Sequence, residues 1–182
     1  GSNGTIGQAF QRFLAKRNVE VIPWDRRKVD ISNYHQMQSF IVHHQPDYLI
    51  HLAAITSFDP GARRSSWLVN FEWTSELAWI CHIHNIRFLF TSTAMVFTPE
   101  QNGPYHFGSP QTAQSGYGFE KWKAEEQVFN QNPDSLVFRL GWQISDLGDN
   151  NMAVKLDREN TDKGFIEASQ NWVPACSFVE DT

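Results

Sequence analysis

The chain contains little cysteine and no long apolar run. Its 182 residues include 2 cysteines, Cys81 and Cys176, which lie far apart and form no Cys-x-x-Cys pair. This pattern argues against a disulfide framework, and we expect two free thiols in a reducing cytoplasm. No apolar stretch approaches the roughly 20 residues that a membrane-spanning helix needs, so we expect no membrane partner.

Positive charge is also scarce, because 15 Lys and Arg residues face 20 Asp and Glu residues and give a net charge of −5. Proteins that bind nucleic acid usually carry a basic face, so we expect no nucleic-acid partner. The 7 histidines show no spacing typical of metal ligands, and we expect no metal. Hydrophobic residues make up 41% of the chain, which is enough for one domain with a packed core.

What the sequence does contain is an alternation of strand-like and helix-like segments. The predicted strands are Val19–Trp24, Asp47–Ala54, Ile86–Thr93 and Ser135–Gly141. The predicted helices between them are Tyr34–His44, Ser65–Asn85 and Gly116–Asn130. The alternation predicts an α/β fold with a Rossmann-like, doubly wound parallel sheet in three αβα layers. Ligands of such sheets bind at the carboxyl ends of the strands.

The pattern loosens after Trp142. For the tail, Met152–Thr182, we predict a short helix and one strand around Phe165–Ala168.

Glycines recur with GxxGxxG spacing at the start of the chain. Gly1, Gly4 and Gly7 lead into a segment with helical periodicity, and Thr5 and Ile6 lie between the last two glycines. Such a turn lets the backbone approach a pyrophosphate at a helix N-terminus. Glycine-rich termini are often simply flexible, so this feature alone leaves both interpretations open.

The next predicted strand ends in an acidic residue followed by two arginines. Asp25 lies close to where a dinucleotide-binding fold places the acid that binds the adenosine ribose, which suits NAD. Arg26 or Arg27 could instead receive the 2′-phosphate of NADP, or the two could form a solvated pair. The expectation is therefore NADP or NAD, with a slight preference for NADP or dual use.

No apolar strand precedes Gly1. A dinucleotide-binding fold needs such a strand in the middle of its sheet, because its neighbours would otherwise carry unpaired edges. We therefore expect the natural protein to extend upstream of this sequence.

A tyrosine and a lysine lie one helical turn apart in "YGFEK". Tyr117 and Lys121 share a helix face, and the hydroxyls of Thr91, Ser92 and Thr93 end the strand before them. A bare Tyr-x-x-x-Lys pattern is weak, because a half-exposed helical pair gives it too. Its position after the glycine turn, the acid and the hydroxyl cluster favours a catalytic site.

These segments resemble the extended short-chain dehydrogenase/reductase family, and within it the dTDP-4-dehydrorhamnose reductase group. The similar pieces include "GSNGTIG", "WDRRKVDIS", "HLAAIT", "VNFE", "TSTAMVF" and "YGFEKWKAEE". The resemblance implies a Rossmann domain, bound NAD(P) and a catalytic set of Thr93, Tyr117 and Lys121. It further implies that Tyr117 and Lys121 also contact the cofactor. The other implied cofactor residues are Gly1, Gly4, Thr5, Ile6, Gly7, Asp25, Arg26, Asp30, Ile31, Ala53 and Ala54.

The implied roles agree with elementary chemistry. Reduction of a ketone by hydride leaves negative charge on oxygen, and a positioned acid must protonate it. We expect the Lys121 ammonium to lower the pKa of the Tyr117 phenol, which is about 10 in water. The Thr93 hydroxyl is placed to donate to the substrate carbonyl.

The chain departs from this group where the sugar pocket is usually shaped. Ala94 and Met95 stand where the group usually has Asp-Tyr. We expect five residues on the substrate side: Asp59, Ala94, Met95, Trp142 and Asn151. Trp142 could equally be a packing residue, and Asn151 could belong to a turn.

Two domains follow from this interpretation. Residues 1–142 form the predicted NAD(P)-binding domain, and residues 143–182 begin a substrate-binding lobe that is otherwise mostly absent. The predicted function is reduction of a nucleotide-linked 4-keto sugar by an enzyme, with a homodimer as one assembly. Two alternatives remain: a sugar-nucleotide epimerase or dehydratase that retains NAD, and a non-catalytic dinucleotide-binding regulatory subunit.

Overall fold

A computed structural model describes residues 1–56, 63–98, 103–146, 151–170 and 173–182 of the chain. The helices are α1 (Thr5–Ala15), α2 (Tyr34–His44), α3 (Arg63–Trp67), α4 (Trp73–Ile83), α5 (Gly116–Gln131) and α6 (Met152–Lys163). The strands are β1 (Tyr48–His51), β2 (Arg87–Thr93), β3 (Leu136–Leu140), β4 (Trp142–Ile144) and β5 (Cys176–Phe178). Helices and strands alternate, so the predicted α/β class is confirmed.

The described strands form two sheets. A three-stranded sheet has the order β1-β2-β3, and β1 and β2 run parallel with Tyr48 opposite Arg87 and His51 opposite Phe90. A two-stranded sheet pairs β4 with β5, also in parallel. Parallel neighbours require a crossover connection, which explains the helices between β1 and β2 and between β4 and β5.

Two predicted strands are wrong. Val19–Trp24 and Phe165–Ala168 lie in irregular backbone rather than in a strand. Both have strand-like composition, but a strand exists only where a neighbour completes its hydrogen bonds, and neither segment joins the two sheets described above. The tail instead places its strand at β5, whereas the short helix predicted within it is confirmed as α6.

The long helix predicted over Ser65–Asn85 contains an interruption. Residues Leu68–Glu72 between α3 and α4 adopt a π-helical turn that contains the buried side chain of Asn70. Thr74 Oγ1 donates to the Asn70 carbonyl oxygen at 3.0 Å. Such single π turns frequently occur at functional sites, because they rotate a side chain away from the regular helical direction.

The core of the three-stranded sheet is built from apolar residues of β2 and three helices. Phe88 and Phe90 of β2 are almost fully buried. They belong to one cluster with residues of α2, α4 and α5, which include Met37, Ile41, Leu77, Ile80, Ala124 and Val128. Burial of side chains of this size contributes about 1.5–3 kcal/mol each, so this cluster is a main source of the fold's stability.

Helix α2 has the bounds that its sequence pattern predicts. Asn33 caps its N-terminus by accepting a hydrogen bond from the Gln36 N–H at 3.1 Å, and Gln45 ends it in a left-handed conformation. Met37 and Ile41 are buried, and Phe40 packs against the same core.

The chain divides into two compact units. One consists of Gly1–Pro23 and Leu140–Thr182, and the other of Trp24–Arg139. The first contains α1, α6, β4 and β5, and the second contains the core described above. The predicted division into residues 1–142 and 143–182 stays a prediction.

Candidate active site

The second unit places the predicted hydroxyl at the carboxyl end of β2. Thr93 is buried and begins the short turn Ala94–Val96, because its Oγ1 accepts a hydrogen bond from the Met95 N–H at 3.2 Å. The strand therefore ends by redirecting the chain, and the threonine side chain is held by that turn. This end of a parallel strand is where such sheets bind ligands.

Helix α5 approaches this turn through a glycine. A Cβ built on Gly118 would lie 2.0 Å from the Met95 carbonyl oxygen and 3.3 Å from the Ala113 Cβ. Only a residue without a side chain permits this approach. Tyr117 directly precedes that glycine, so the close contact brings the start of α5 next to the turn that follows Thr93.

Lys121 is completely buried and lies against the Phe90 ring of β2. Its side chain has 0% exposure, and its Nζ lies 4.1 Å from the centroid of the Phe90 ring and 6.0 Å from the centroid of the Tyr117 ring. Within the part of the chain that the structure describes, this Nζ has no hydrogen-bond partner. Burial lowers the pKa of Lys121 to about 7, against the opposing effects of Glu125 and then Glu120.

Both carboxylates next to Lys121 in α5 bind other groups. Glu125 accepts three hydrogen bonds from Arg139, the shortest of which is 2.7 Å. Glu120 accepts from Ser66 Oγ at 2.8 Å and from Asn70 Nδ2 at 2.7 Å. The lysine therefore has acidic neighbours that favour its charged form but do not bind its ammonium group.

The expected direction of the tyrosine's pKa is wrong. Burial, and next the charge of Glu120, raises the pKa of Tyr117 to about 12. The reason is that desolvation penalises the phenolate, while the Lys121 Nζ stays 6.0 Å from the ring centroid. The phenol of this structure therefore holds its proton firmly at neutral pH.

His51, at the end of β1, is a second buried base near the lysine. Its ring packs against Trp73 at 4.7 Å and lies 6.1 Å from the Phe90 ring, measured between centroids. Burial, and next the charge of Lys121, keeps the pKa of His51 well below its ordinary value of 6.5. The imidazole is therefore neutral at physiological pH.

The glycine turn lies in the first unit and packs tightly. Gly4 precedes α1, and its N–H donates to the Gly1 carbonyl oxygen at 3.0 Å. A Cβ on Gly7 would lie 2.2 Å from the same carbonyl oxygen, so glycine is required there. Thr5 and Ile6 form the first residues of α1. The spacing thus produces a compact turn at a helix N-terminus.

The predicted adenosine-side residues lie in the second unit. Asp25 binds its neighbour Arg27 through the Arg27 N–H, Nε and Nη2, each at 3.0 Å, which lowers the pKa of Asp25 to about 2. Arg26 is exposed. Asp30 accepts two hydrogen bonds from Ser32, and these lower its pKa.

Ile31 and Ala53 pack against the core, and Ala54 is exposed after β1. The structure therefore brings Ala53 and Ala54 to the carboxyl end of the strand next to β2.

The predicted substrate-side residues that the structure describes belong to both units. Ala94 and Met95 lie in the turn after β2, and Met95 is 43% exposed. Trp142 begins β4 in the first unit, where Asn151 caps α6 by accepting from the Val154 N–H at 3.1 Å. Asp59 lies outside the described residues.

Sequence reasoning missed three contributors to the site. Glu120 and Ser66 form a buried hydrogen bond, and Gly118 permits the close approach to Met95. A glycine inside a helical pattern is a usable signal. It costs roughly 1 kcal/mol relative to alanine, so its presence indicates a close packing contact or a functional role. No local pattern pairs Ser66 with Glu120, because they are distant in sequence.

The described residues offer neither a metal-binding cluster nor a membrane-spanning helix. They contain no group of three His, Cys, Asp or Glu side chains arranged to hold a metal ion. They also contain no helix with the length and apolar character needed to cross a membrane.

The fold is a Rossmann-like α/β architecture with parallel strands, and its site combines a hydroxyl, a phenol and a buried amine. The model of the RmlD substrate binding domain matches residues 1–170, and the chain belongs to that family. The dTDP-4-dehydrorhamnose reductase of Aggregatibacter actinomycetemcomitans is 28% identical over 153 residues, which cover 82% of this chain and 52% of that protein. The spore coat polysaccharide biosynthesis protein SpsK of Bacillus subtilis is 25% identical and is matched over 100% of this chain and 64% of its own length.

Solved structures of the same group have the same fold. A dTDP-4-dehydrorhamnose reductase of Clostridium acetobutylicum superposes with a TM-score of 0.90 at 26% identity, covering 100% of this chain and 65% of the other. The enzyme of Bacillus anthracis, solved in complex with NADP, superposes with a TM-score of 0.80 at 24% identity. The match covers 90% of this chain and 58% of the other. The chain therefore spans between half and two thirds of the length of these relatives.

Replacement of Gly118 tests the close approach of α5 to the turn after β2. In an open helix, Gly118→Ala would stabilise by roughly 1 kcal/mol through helix propensity. Here we expect destabilisation by about 1–3 kcal/mol, because the new Cβ would overlap the Met95 carbonyl. Chemical denaturation measures the change. Gly108→Ala is the matched control, since a Cβ there meets nothing within 4 Å; stabilisation by Gly118→Ala would contradict the packing.

Burial of the Lys121 amine makes stability depend on pH. Its folded pKa of about 7 lies below its ordinary value of 10.5, so the unfolded chain binds more protons between these two values. The cost of the buried ammonium is complete below pH 7 and is relieved as the pH rises towards 10.5. We expect Lys121→Met to be more stable at pH 6 by on the order of 3–5 kcal/mol.

The stability advantage of Lys121→Met over wild type should shrink by about 1.4 kcal/mol per pH unit between pH 7 and 10. Denaturant titrations at several pH values measure it. Lys123→Met, on the same helix but partly exposed, controls for the loss of a charge. A constant difference between wild type and Lys121→Met would show that the amine is not buried as described.

Proposed function

We propose that the protein is an NAD(P)-dependent reductase of a nucleotide-linked keto sugar. The observation that carries this proposal is the Lys121 amine, which is fully buried beside Tyr117 and has no hydrogen-bond partner among the described residues. A buried amine without a partner is costly, and proteins retain such groups mainly where a ligand or a reaction uses them. Thr93, Tyr117 and Lys121 are its proposed catalytic residues.

The residues present fit a dinucleotide. In the first unit, the turn formed by Gly1, Gly4 and Gly7 leads into the N-terminus of α1, where the first backbone N–H groups of a helix lack intrahelical partners, which suits a pyrophosphate. In the second unit, the unpaired donors of Lys121 suit the hydroxyls of a ribose. Ala53 and Ala54 add small side chains at the end of β1, where they would leave room for a bound cofactor.

The proposed mechanism assigns one task to each side chain. When bound, the nicotinamide supplies the hydride that reduces the substrate carbonyl. Thr93 positions that carbonyl by hydrogen bonding to its oxygen. Tyr117 holds the proton at its phenol oxygen and gives it to the oxygen as negative charge develops there. Lys121 then stabilises the resulting phenolate, which offsets the high pKa that burial gives the tyrosine.

The choice between NADP and NAD depends on Asp25. Its carboxylate is engaged by Arg27 in a salt bridge at 3.0 Å, which neutralises part of the charge that would repel a 2′-phosphate. The arrangement supports NADP while still admitting NAD, because a carboxylate oxygen can also accept from a ribose hydroxyl. The relative from Bacillus anthracis, which was solved in complex with NADP, supports the same preference.

The substrate class comes from the relatives and from chemistry. Several relatives carry the name dTDP-4-dehydrorhamnose reductase, which supports a nucleotide-linked 4-keto sugar. Ala94 and Met95 offer no charge and no strong hydrogen-bonding group at the turn after β2, so this turn would contact an apolar part of the sugar. Trp142, Asn151 and Asp59 remain proposed substrate contacts.

Assembly, cell compartment and domain division are part of the same proposal. Both cysteines are unbonded, Cys81 buried and Cys176 exposed, which supports a reducing cytoplasm. We propose a homodimer, which light scattering on the full-length protein tests directly, and residues 1–142 as the dinucleotide-binding domain.

Replacement of the tyrosine tests the proposed function. NADH and NADPH are offered separately to the full-length protein with a panel of nucleotide keto sugars, and cofactor oxidation is followed. We expect Tyr117→Phe to lower kcat by about 10²–10⁴-fold, because it removes the proton donor and little else. Tyr48→Phe, a half-exposed tyrosine at the amino end of β1, should behave as wild type.

Three outcomes separate the alternatives. Equal turnover by wild type and Tyr117→Phe would refute the assigned mechanism. Tightly retained NAD with no net cofactor oxidation would favour an epimerase or dehydratase. Absence of turnover with every sugar would favour a regulatory dinucleotide-binding subunit.

A further inference from the structure

The buried carboxylate of Glu120 connects α5 to two other segments of the second unit. Its Oε1 accepts from Ser66 Oγ of α3 at 2.8 Å, and its Oε2 accepts from Asn70 Nδ2 of the π turn at 2.7 Å. Ser66 Oγ also lies 3.0 Å from the Arg63 carbonyl oxygen, but a charged acceptor makes the stronger bond. One side chain thus fixes α5 against α3 and the π turn.

Asn70 extends this connection to the segment after β1. Its Oδ1 accepts from the Ile55 N–H at 2.9 Å, and its Nδ2 donates to the Ile55 carbonyl oxygen at 2.8 Å. Together with the bond to Glu120, both hydrogens of the Asn70 amide are used. Ile55 directly follows Ala53 and Ala54, so the carboxylate is linked to the strand end where the dinucleotide is proposed to bind.

The position of Glu120 gives its charge a second role. It directly precedes Lys121, and it lies three residues after Tyr117, so it belongs to the turn of α5 that carries both. Glu120 is 6% exposed, which leaves its charge little screened by water. Its charge raises the pKa of Lys121 and that of Tyr117.

The other ionisable groups near Lys121 are accounted for. Glu125 of α5 acts on it more strongly than Glu120 but is neutralised by Arg139 of β3 at 2.7 Å. His51 of β1 faces it as a neutral imidazole, for the reason given above. Tyr117 is protonated over the working range. Glu120 is therefore the nearby carboxylate that acts on Lys121 without a cation of its own in the hydrogen bonds described here.

We propose that Glu120 is a positioning residue of this site: its carboxylate anchors the first turns of α5 to Ser66 and Asn70 and keeps the Lys121 ammonium charged. The proposal rests on the proposed reductase function. The anchor holds Tyr117 and Lys121 in place without touching substrate. The negative charge offsets part of the burial that would otherwise discharge the lysine at neutral pH.

The test measures pH–rate profiles of the full-length protein with NADPH and its keto sugar. Glu120→Gln keeps the shape and removes the charge. We expect kcat to fall by about tenfold or more, and the alkaline limb to move to lower pH by about one unit, because Lys121 loses its proton more easily. Ser66→Ala removes one hydrogen bond but keeps the charge, so kcat should fall a few-fold with the limb unmoved.

Two further variants complete the comparison. Glu126→Gln removes an exposed carboxylate from the same helix and should match wild type. Glu120→Asp keeps the charge but is one methylene short, so it should lower kcat without moving the limb. This variant decides the question if Glu120→Gln fails to fold. A wild-type profile for Glu120→Gln, an equal shift in Ser66→Ala, or a shifted limb in Glu120→Asp would overturn the proposal.

A readout that needs no turnover separates this proposal from the proposed function. A ¹³C-NMR titration of the protein across pH 5–10, which follows the Lys121 Cε resonance, reports the protonation of that amine directly without requiring reagent access to the buried side chain. The midpoint should be lower in Glu120→Gln than in wild type, and unchanged in Ser66→Ala. If no sugar is reduced but the midpoint shifts as expected, the proposed function fails and the role of Glu120 stands. An unshifted midpoint overturns that role whatever the turnover.

Discussion

The main constraint on the second unit is one ammonium group that is buried and, among the described residues, unpaired. Lys121 packs against Phe90, and its Nζ donates no hydrogen bond within the described residues. Such a group costs free energy, since neither water nor a counter-ion replaces its lost hydration. Three surrounding features lower this cost: an aromatic ring at 4.1 Å, two carboxylates nearby, and a histidine that is neutral rather than charged.

The carboxylates illustrate how the arrangement is maintained. A lysine and a glutamate four residues apart on a helix would ordinarily pair, as Lys163 and Glu159 do on α6. In α5 the equivalent partner, Glu125, is bound by Arg139 instead, and Glu120 is bound by neutral donors. The acids therefore favour the charge of Lys121 from a distance while its donors stay available. Keeping this amine unpaired costs stability, as is common where a site needs a group in an unfavourable state.

Much of the fold was predictable because it follows from local periodicity. Helix α2 has its predicted bounds, and α5 and β2 agree to within a residue at each end. Val19–Trp24 failed because strand composition does not supply a neighbouring strand. The residues Thr93, Tyr117 and Lys121 could be singled out from spacing and resemblance. The direction of the tyrosine's pKa and the role of Glu120 could not, because burial and contacts between distant segments decide both.

In the proposed function, the Lys121 amine has no partner among the described residues because it binds a dinucleotide. The most direct measurement is the dissociation constant of NADPH for the full-length protein at pH 6, where the amine is protonated, by quenching of tryptophan fluorescence. Loss of a charge-assisted hydrogen bond should make Lys121→Met bind NADPH about tenfold more weakly or worse, while Lys123→Met binds as wild type. The same dissociation constant for all three proteins would contradict the account.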